Sequence, residues 1–500
     1  MPAADRLALL LLLTLPAATA QAETTVAPTD ALKVDLPQVL SLASLGMLTV
    51  QPASVSITRD GSTYQVRLPL SGLSAPPDAA VTAVARPLRQ GGFEVSSMTF
   101  PPNGTLLTTP ANGTPSRIAF TIGSQAAAAR LGPTPTAETS YTAAFGTIQT
   151  HTERPDQRID QTIDQTIDRF ASNGTVVTAP DRRISFSTQN QATGLHLLGH
   201  AANGGSSDTA IQAIAGHVSI DGLDQAQGTR LLAAVRAFIA SPPARPHPAA
   251  PTSRTPTSPA PNSPAPNSPL QRQQLRAVID ATPGLLNRIE ADQTIQHIRF
   301  RFATPNRTSA GSVDDVRFHL AGDTVRDRLD ARLAIAADGI AIPTVPAQTA
   351  DLVPRHIDLK TLLTGVPTAP LIALLRAVAD GQTDPALLQA QATALLAEPG
   401  ARIAIEALSF DAGPLALTGS ANLRPPATAG LAGTIHIAAR GLDALLTRIQ
   451  RQPSVQQALP IIFLAKALAR PQGDSLVWDI SFGDGPLTVN GTPLGQPTGK

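Results

Sequence analysis

The chain has 500 residues, a length typical of two or three domains, and a formal net charge of +1. Only 15% of its residues are charged, which excludes the concentrated Lys and Arg of proteins that bind a phosphate backbone. Aromatic residues make up 3% and cysteine is absent, so stacking surfaces for sugars or bases are disfavoured and disulfides, thiolate catalysis and cysteine metal sites are excluded.

The first 22 residues have the features of a secretory signal peptide. Arg6 gives the positive start, Leu7–Leu15 forms the apolar core, and Ala20 or Ala22 ends an A-x-A cleavage site. The apolar run is short for a bilayer of about 30 Å, and an uncleaved anchor is the alternative. No other segment approaches the roughly 18 apolar residues of a membrane helix. The sequence therefore predicts a periplasmic protein, cleaved after Ala20 or Ala22, whose mature chain does not span the membrane.

Short strands dominate the first half of the predicted mature chain. Val55–Ile57 and Tyr64–Leu68 alternate between apolar and polar residues on either side of an Asp60-Gly61 turn, which is a hairpin pattern. Glycine and asparagine accept a positive φ, so four further pairs predict turns: Gly91-Gly92, Asn103-Gly104, Asn112-Gly113 and Asn173-Gly174. The other predicted strands are Val81–Ala85, Phe93–Phe100, Arg117–Ile122, Tyr141–Thr150, Val176–Thr178, Ile184–Phe186 and His217–Ile220.

Arg158–Arg169 is a short internal repeat, RIDQTIDQTIDR. On a helix its isoleucines would form one stripe, whereas on a strand they would share a face with the glutamines and leave Asp and Thr on the other face. The β-branched content favours the strand. Asp160, Asp164 and Asp168 form an acidic row on such a strand. The row could bind a cation or form a solvated sheet face, and the solvated face is the preferred interpretation.

A proline-rich spacer divides the chain. Asp224–Ala240 predicts an amphipathic helix, and it leads into Ser241–Pro269, which contains no Leu, Ile, Val or Phe and repeats SPAPN. Such a segment cannot bury apolar surface to offset its ordering entropy, so it is predicted to be disordered or polyproline-like. The predicted halves are a strand-rich segment, residues 23–240, and an α+β segment, residues 270–500.

Two arrangements of these halves are open. The entropy of loop closure grows slowly with length, so a spacer of this size allows the halves to pack into one body. A polyproline-like spacer could instead hold them up to about 90 Å apart. The arrangement in which the halves pack together is favoured, because each half contains strands whose apolar faces must be covered.

The second half combines both kinds of element. Leu270–Ala291 is predicted to be a helix interrupted at Pro283-Gly284, and residues 298–302 and 316–320 alternate as strands. Asp384 and Pro385 form a cap and first turn for a helix over Ala386–Ala397. The remaining predictions are a strand over Leu333–Ile342, hairpins over Arg402–Leu423, a strand over Gly433–Ala439, helices over Leu442–Gln450 and Val455–Ala469, and strands over Leu476–Phe482 and Leu487–Val489.

No motif predicts catalysis or metal binding. His196 and His200 would share a face on a helix, but neighbouring glycines disfavour a helix and no third ligand is evident. Ser206–Asp208 is interpreted as a loop that no spacing connects to a histidine, and Asp314-Asp315 as an ordinary carboxylate pair. Nucleophile-elbow and phosphate-loop motifs are absent. The sequence therefore predicts no catalytic, cofactor-binding or metal-binding residue, and no enzyme.

Four stretches of the second half resemble one protein family: Leu352–Val366, Phe410–Leu423, Gly433–Asp443 and Gly485–Gly495. It is the uncharacterised proteobacterial periplasmic family called domain of unknown function 2125, and the resemblance covers roughly Leu270–Gly495. It implies an exported protein with an α+β fold and no established activity. The strand pattern is also similar in style to that of AsmA-like envelope proteins, whose repeated strands form an extended curved sheet with an apolar inner face.

The predicted fold class is α+β, a meandering and mostly antiparallel β-sheet with packed helices in two halves joined by the spacer. The favoured function is an exported, non-enzymatic cell-envelope protein with a structural or protein-interaction role. The alternatives are a periplasmic protein that binds a lipid or another apolar ligand, and an exported hydrolase with an active site assembled from distant residues. Expected partners are an envelope protein or a lipid, without nucleic acid and without a cofactor. The oligomeric state is left open.

Overall fold

The computed structural model describes most of the chain between residues 49 and 494, with residues 29, 32, 33, 36 and 37 before it. Its largest internal gaps are 38–48, 72–79, 109–115, 235–268, 425–431 and 450–458. The predicted signal peptide, almost all of the spacer and the predicted Asn112-Gly113 turn therefore lie outside the described residues. Within the described part, no helix is long and apolar enough to cross a membrane.

The strands form an antiparallel meander, in which most strands lie beside the strand that precedes or follows them once interrupted strands are counted as one; near the end of the chain, the strand over Ala432–Arg440 pairs with Ser475–Phe482 and passes over the short strand Arg470–Gln472. In the first half several long strands are interrupted and carry two labels, because both pieces pair along the same neighbour, as β11 and β12 do on β13. The strands of this half are β1 Thr49–Val50, β2 Ser56–Asp60, β3 Thr63–Ser71, β4 Ala80–Pro87, β5 Phe93–Thr99, β6 Asn103–Thr108, β7 Ser116–Ile122, β8 Gln125–Leu131, β9 Thr139–Phe145, β10 Ile148–Asp156, β11 Ile159–Ile167, β12 Arg169–Thr178, β13 Arg183–Ala201 and β14 Ser206–Asp224.

The two halves are joined through the sheet itself. β14 pairs with the first strand of the second half from Ser206, opposite Ala303, to Asp221, opposite Arg288. The halves therefore form one continuous sheet, which is the packed arrangement of the two considered from the sequence. The strands of the second half are β15 Arg288–Thr304, β16 Arg307–Val325, β17 Arg328–Asp338, β18 His356–Pro367, β19 Arg402–Ala412, β20 Leu415–Arg424, β21 Ala432–Arg440, β22 Arg470–Gln472, β23 Ser475–Phe482, β24 Thr488–Val489 and β25 Thr492–Pro493.

The helices are few and most follow a strand of the second half. They are α1 Pro269–Asp280, α2 Thr368–Ala379, α3 Pro385–Leu395, α4 Leu442–Ile449 and α5 Leu459–Leu468. α1 and α2 pack together through an ion pair in which Arg376 Nε lies 2.6 Å from Asp280 Oδ1. α5 is fixed to the sheet by Trp478, whose Nε1 donates a hydrogen bond of 2.7 Å to the carbonyl oxygen of Ala465.

The sheet separates apolar and polar side chains onto opposite faces. The cross-strand register places one residue of each strand in a straight line, which we call the central row. Its members are Ala127, Ala143, Ser172, Asn190, Gly216, Gln293, Phe318, Ile335, Leu359, Leu408, Gly419, Ile437 and Trp478. The apolar face is the face that carries this row, and the polar face is the opposite one. Successive residues of a strand alternate between the two faces.

A crease crosses this sheet. It is a line of positions at which the ladder pairing is interrupted and which fall opposite one another when the flanking register is continued. These positions are Pro101, Gly123, Thr147, Asp168, Gly194, Gln212, His297, Asp314 and Gly339. Gly194, His297 and Gly339 have positive φ values of 64°, 54° and 66°. A residue in this conformation interrupts the alternation of a strand.

The interruption keeps the apolar face apolar on both sides of the crease. Apolar residues that flank it are three apart instead of two, as in Ile211 and Ile214 or Ile295 and Ile298. Leu195, Ile211 and Ile214 nevertheless form one buried cluster, against which Ala192, Ile295 and Ile298 pack. The spacing of three therefore compensates for the rotation of the chain at the crease.

The buried core lies under the first half of the sheet. Leu68, Val81 and Val95 on the apolar face are completely buried, and so are Leu32 and Leu36 from the described residues that precede the sheet. The predicted helix after β14 contributes to the same core, because Leu231 is helical and buried. This end of the apolar face is thus covered by the chain's own segments.

The fold contains more sheet than the predicted α+β class implies, since about 65% of it is strand and 16% helix. The predicted helix over Leu270–Ala291 illustrates the difference: α1 ends at Asp280, and the segment from Arg288 onward begins β15. The register of β15 with β14 continues up to Arg288, so sheet pairing there outweighs the helical pattern.

Two predicted Asn-Gly turns are wrong. Asn103-Gly104 lies in β6 and Asn173-Gly174 lies in β12. Gly174 is opposite Tyr141, whose ring would lie 2.9 Å from a Cβ at that position, and Gly104 is opposite Phe120. A glycine inside a strand often marks a close approach of another group. At Gly174 the approaching groups are the Tyr141 ring and the backbone oxygen of Ser187, which would lie 2.5 Å from the added Cβ. By contrast, Gly91-Gly92 forms the predicted turn, with φ values of 84° and 79°.

The repeat is a strand, as predicted. β11 spans Ile159–Ile167, and Asp164 lies on the polar face with His151 directly opposite.

The crease predicts a specific sensitivity at Gly194. Gly194→Ala should lower the free energy of unfolding by about 1–2 kcal/mol or more, because an L-residue is strained at this φ and the new Cβ would overlap the Asp168 carboxylate. Urea denaturation measures the change. Asp168→Ala in the same chain should recover part of the steric loss, because the carboxylate is removed while the Cβ of residue 168 stays 2.8 Å from the added carbon. Gly485→Ala, where no atom lies within 4 Å of the added carbon, should change stability by less than about 0.5 kcal/mol.

Candidate functional site: the two faces of the sheet

The second half of the apolar face is a continuous surface without charged side chains. In strands β16 to β23, its described members are Val316, Phe318, Leu320, Leu333, Ile335, Ala337, Ile357, Leu359, Thr361, Leu363, Ile403, Ile405, Leu408, Phe410, Leu417, Gly419, Ala421, Leu423, Gly433, Ile435, Ile437, Ala439, Leu476, Trp478, Ile480 and Phe482. We call this surface the apolar trough. Thr361 supplies the only hydroxyl within this set, and Thr324 at the end of β16 is a second hydroxyl on the same face. The composition of the trough is that of a protein core.

The apolar trough is not buried as a core would be. Along the described parts of β16, β17 and β18, only Val366 of the apolar face is fully buried, and Ile335 at the centre is 38% exposed. Residues of the same face in the first half, such as Leu68 and Val81, are 0% exposed. One sheet face therefore passes from a closed core to a partly open apolar surface.

The helices cover the trough incompletely and are themselves apolar outside. Trp478 connects α5 to the trough, yet Phe463 and Leu464 on the other side of α5 are 46% and 62% exposed. On α2, Leu375 and Val378 are also exposed. A helix that is apolar all round is normally buried. The outer side of α5 is thus a second apolar surface.

The polar face carries a series of histidine–aspartate pairs between neighbouring strands. Five of the nine histidines make such a contact at 2.6–2.8 Å: His151 with Asp164, His196 with Asp208, His319 with Asp292, His356 with Asp338, and His436 with Asp479. Four pairs are directly opposite in the register, and His196–Asp208 is diagonal. The pairs are distributed along the face, so they do not converge on one centre.

Two of these pairs have shifted pKa values. The hydrogen bond to Asp164 raises the pKa of His151 above its ordinary 6.5. The hydrogen bond from His356, followed by that from Arg317, lowers the pKa of Asp338 below its ordinary 3.8. Both shifts have the same cause, because each neighbour stabilises the charged form.

A shallow concavity of about 480 Å³ lies on the polar face over β19, β20, β21 and β23. Its lining includes Arg402, Ser420, His436 and Asp479. Asp479, His436 and Ser420 are directly opposite one another on three strands, with His436 Nδ1 2.7 Å from Asp479 Oδ1. The second carboxylate oxygen of Asp479 accepts a hydrogen bond of 2.9 Å from Arg470.

The histidine, serine and carboxylate motifs noted in the sequence lie on strands β13, β14 and β16. His196 lies on β13, as does His200, and among the described residues no group of three or more His, Cys, Asp or Glu could hold a metal ion. The interpretation of Ser206–Asp208 as a loop is wrong, because β14 begins at Ser206 and Asp208 contacts His196 at 2.8 Å. Asp315 forms an ion pair with Arg317 at 3.0 Å, whereas Asp314 lies in the crease beside Gly339.

The model of a family described as an uncharacterised protein conserved in bacteria (DUF2125) matches residues 254–497. The match confirms the predicted family resemblance for this segment, which includes every strand from β15 onward. No curated protein and no solved structure matches the chain.

The raised pKa of His151 predicts a pH-dependent contribution to stability. A raised pKa in the folded state stabilises the fold fully below the ordinary value of 6.5, and the contribution is lost as pH rises through the raised value. His151→Gln should therefore lower the urea midpoint more at a pH of about 5.5 than at about 9. Because the side chain is half exposed, the effect should not exceed about 0.5 kcal/mol.

A double-mutant cycle with Asp164→Asn provides the control for this prediction. If the pair is responsible, His151→Gln should have a clearly smaller pH-dependent effect in the Asp164→Asn background, where Glu153 is the remaining carboxylate beside His151, at 3.6 Å. An equal effect of His151→Gln in both backgrounds would contradict the assignment.

Proposed function

We propose that this chain, whose residues 254–497 match a bacterial family of uncharacterised proteins, is an exported cell-envelope protein that holds a lipid or a similar apolar ligand in the apolar trough. The proposal assigns it no catalytic role. Export is inferred from the signal-like features of the first 22 residues.

The observation that carries the proposal is the partial exposure of a charge-free apolar surface across many strands, with Ile335 at its centre 38% exposed. Exposed apolar area costs roughly 25 cal/mol per Å², and monomers rarely expose contiguous patches above a few hundred Å² without a binding role. Around Ile335, at the centre of the trough, polar side chains occur only on the opposite face of the sheet. A ligand that covers this row would remove the cost.

The composition of the trough favours an acyl chain over a protein surface. Protein interfaces usually make about one hydrogen bond per 100–200 Å² and have a polar rim. The trough offers few polar side chains, and the backbone groups of its inner strands are paired in the ladder on both sides. Acyl chains need no hydrogen-bonding partner, so they suit this surface.

The exported hydrolase is the less supported alternative, although Asp479, His436 and Ser420 are aligned on the polar face. Acyl transfer needs donors for a developing oxyanion. The backbone of β21 around His436 is paired on one side with β20 and on the other with β23. Within these strands, no pair of backbone N–H groups is free to supply those donors.

A protein partner is a second candidate function, and the outer side of α5 favours it. Phe463 and Leu464 are adjacent and exposed, and α5 is held to the sheet by the bond from Trp478. If this side binds an envelope protein, Leu464→Glu should abolish an in-cell crosslink placed on α5. The lipid content of the purified protein should be unchanged by this variant.

The lipid proposal is tested by mass spectrometry of an organic extract of the protein, purified under mild conditions from its native envelope. We expect about one lipid per chain in the wild type. Ile335→Glu should reduce the lipid per chain at least about tenfold, because it places a charge in the centre of the trough.

Ala334→Glu is the matched control, since it adds the same side chain to the same strand on the polar face, opposite Lys360. It should leave the lipid content unchanged. A wild-type extract without lipid, or an equal loss in both variants, would contradict the proposal.

A further inference from the structure

A small group of polar side chains interrupts the apolar face where the closed core meets the trough. Tyr141, Ser172 and Thr188 are 4%, 2% and 5% exposed. The hydroxyls of Tyr141 and Thr188 are 2.9 Å apart, and Ser172 Oγ donates to Tyr141 Oη at 3.5 Å. Thr188 also donates to the carbonyl oxygen of Asn173 at 3.2 Å. These hydroxyls satisfy one another.

Asn190 belongs to the same group but is not satisfied. It lies directly opposite Ser172 in the central row. Its Oδ1 is buried, and no described residue gives it a hydrogen-bond partner. Buried side-chain acceptors are nearly always paired, so an unpaired one requires an explanation.

An open slot lies next to this acceptor. The following residue of the central row is Gly216, and the one after it is Gln293. Within 4 Å of where a Cβ of Gly216 would lie, the only atom is the backbone oxygen of Asp292, at 3.4 Å. Neighbouring strands are about 4.8 Å apart, so two amide side chains face each other across roughly 10 Å with a glycine between them.

We propose that this slot binds the uncharged, hydroxyl-bearing end of an amphiphile, whose apolar chain then lies along Phe318, Ile335 and Leu359. The inference rests on the proposed function and specifies its ligand class. A hydroxyl can donate to Asn190 Oδ1 and accept from an amide.

The absence of charge around the slot selects the ligand class. No described member of the central row is charged, and the hydroxyls beside Asn190 are neutral. A phosphate or carboxylate in this position would be buried without a partner of opposite charge, which is strongly disfavoured. A neutral hydroxyl carries only the smaller desolvation penalty of a polar group, and Asn190 offsets it.

The row also gives the ligand a direction. On one side of the slot the apolar face is closed over Tyr141 and Val176, which are buried. On the other side it opens into the trough, where Phe318 is next to Gln293 in register. A chain attached to the bound hydroxyl therefore extends toward the second half.

The test uses the full-length protein and three fluorescent probes with the same long chain, ending in a hydroxyl, a methyl group or a carboxylate. We expect the wild type to bind the alcohol about tenfold more tightly than the alkane, as one hydrogen bond to a buried acceptor predicts. The carboxylate should bind less tightly than the alcohol.

Two variants remove the slot by different means. Asn190→Leu deletes the acceptor, and Gly216→Val fills the space above the glycine. Each should reduce the preference for the alcohol over the alkane to about onefold while leaving alkane binding within about twofold. Asn190→Leu should also unfold at the same temperature as the wild type or higher, because it removes an unpaired buried acceptor.

Gln189→Leu is the matched control, since it deletes an exposed amide on the polar face of the same strand. It should keep the tenfold preference. A wild type that binds all chains equally, or a preference that survives both Asn190→Leu and Gly216→Val, would overturn the slot and leave the trough proposal standing. A wild type that binds none of the probes would instead overturn the proposed function.

Discussion

The cross-strand register is the constraint on which the two faces of this sheet depend. Side chains alternate along a strand, so a slip of one residue would move the apolar set to the polar face. The central row shows the effect of keeping that register across the whole sheet: one line of residues runs from Ala127 under the closed core to Trp478 under α5. The trough and the histidine–aspartate pairs are both consequences of the same ladder, seen from its two sides.

The crease shows how a sheet of this size is interrupted along a line without losing its two faces. Gly194 and Gly339 have a positive φ, and the adjacent strands supply Asp168 and Asp314 beside these glycines. The interruption alone would exchange apolar and polar positions beyond it. The spacing of three between flanking apolar residues, as in Ile211 and Ile214, reverses this exchange. The apolar side chains therefore stay on one face only if the positive φ and the spacing of three occur at the same position along the strands.

Much of the strand content could be predicted from alternation, and the hairpin at Asp60-Gly61 and the helix after Asp384 follow from local signals. The Asn-Gly turns failed because cross-strand pairing overruled a local signal: Gly104 is paired with Phe120, and Gly174 with Tyr141 on one side and Thr188 on the other. The pair of His196 and Asp208 was missed because only the register brings the two residues together. The sequence does contain a sign of the crease, which is a spacing of three between two apolar residues inside an otherwise alternating strand. A single strand, however, gives no reason to interpret this spacing as a crease. The binding role proposed for Asn190 could not be predicted, because it depends on Ser172, Gly216 and Gln293, which lie in three other strands.

The pairing of β14 with β15 has a consequence for the order in which the chain folds. β14 and β15 are separated by residues 225–287, which is a longer separation than that between β18 and β19, residues 368–401, or between β21 and β23, residues 441–474. Most members of the buried core precede the spacer, and only Ala281 and Leu285 come from beyond it, so much of the first half can form while β14 is still the outer edge of the sheet. That edge is 19 residues long and is a template for any strand that reaches it. While the chain folds, the second half therefore competes with strands of other chains for β14, and the closing of this long loop decides between native pairing and aggregation.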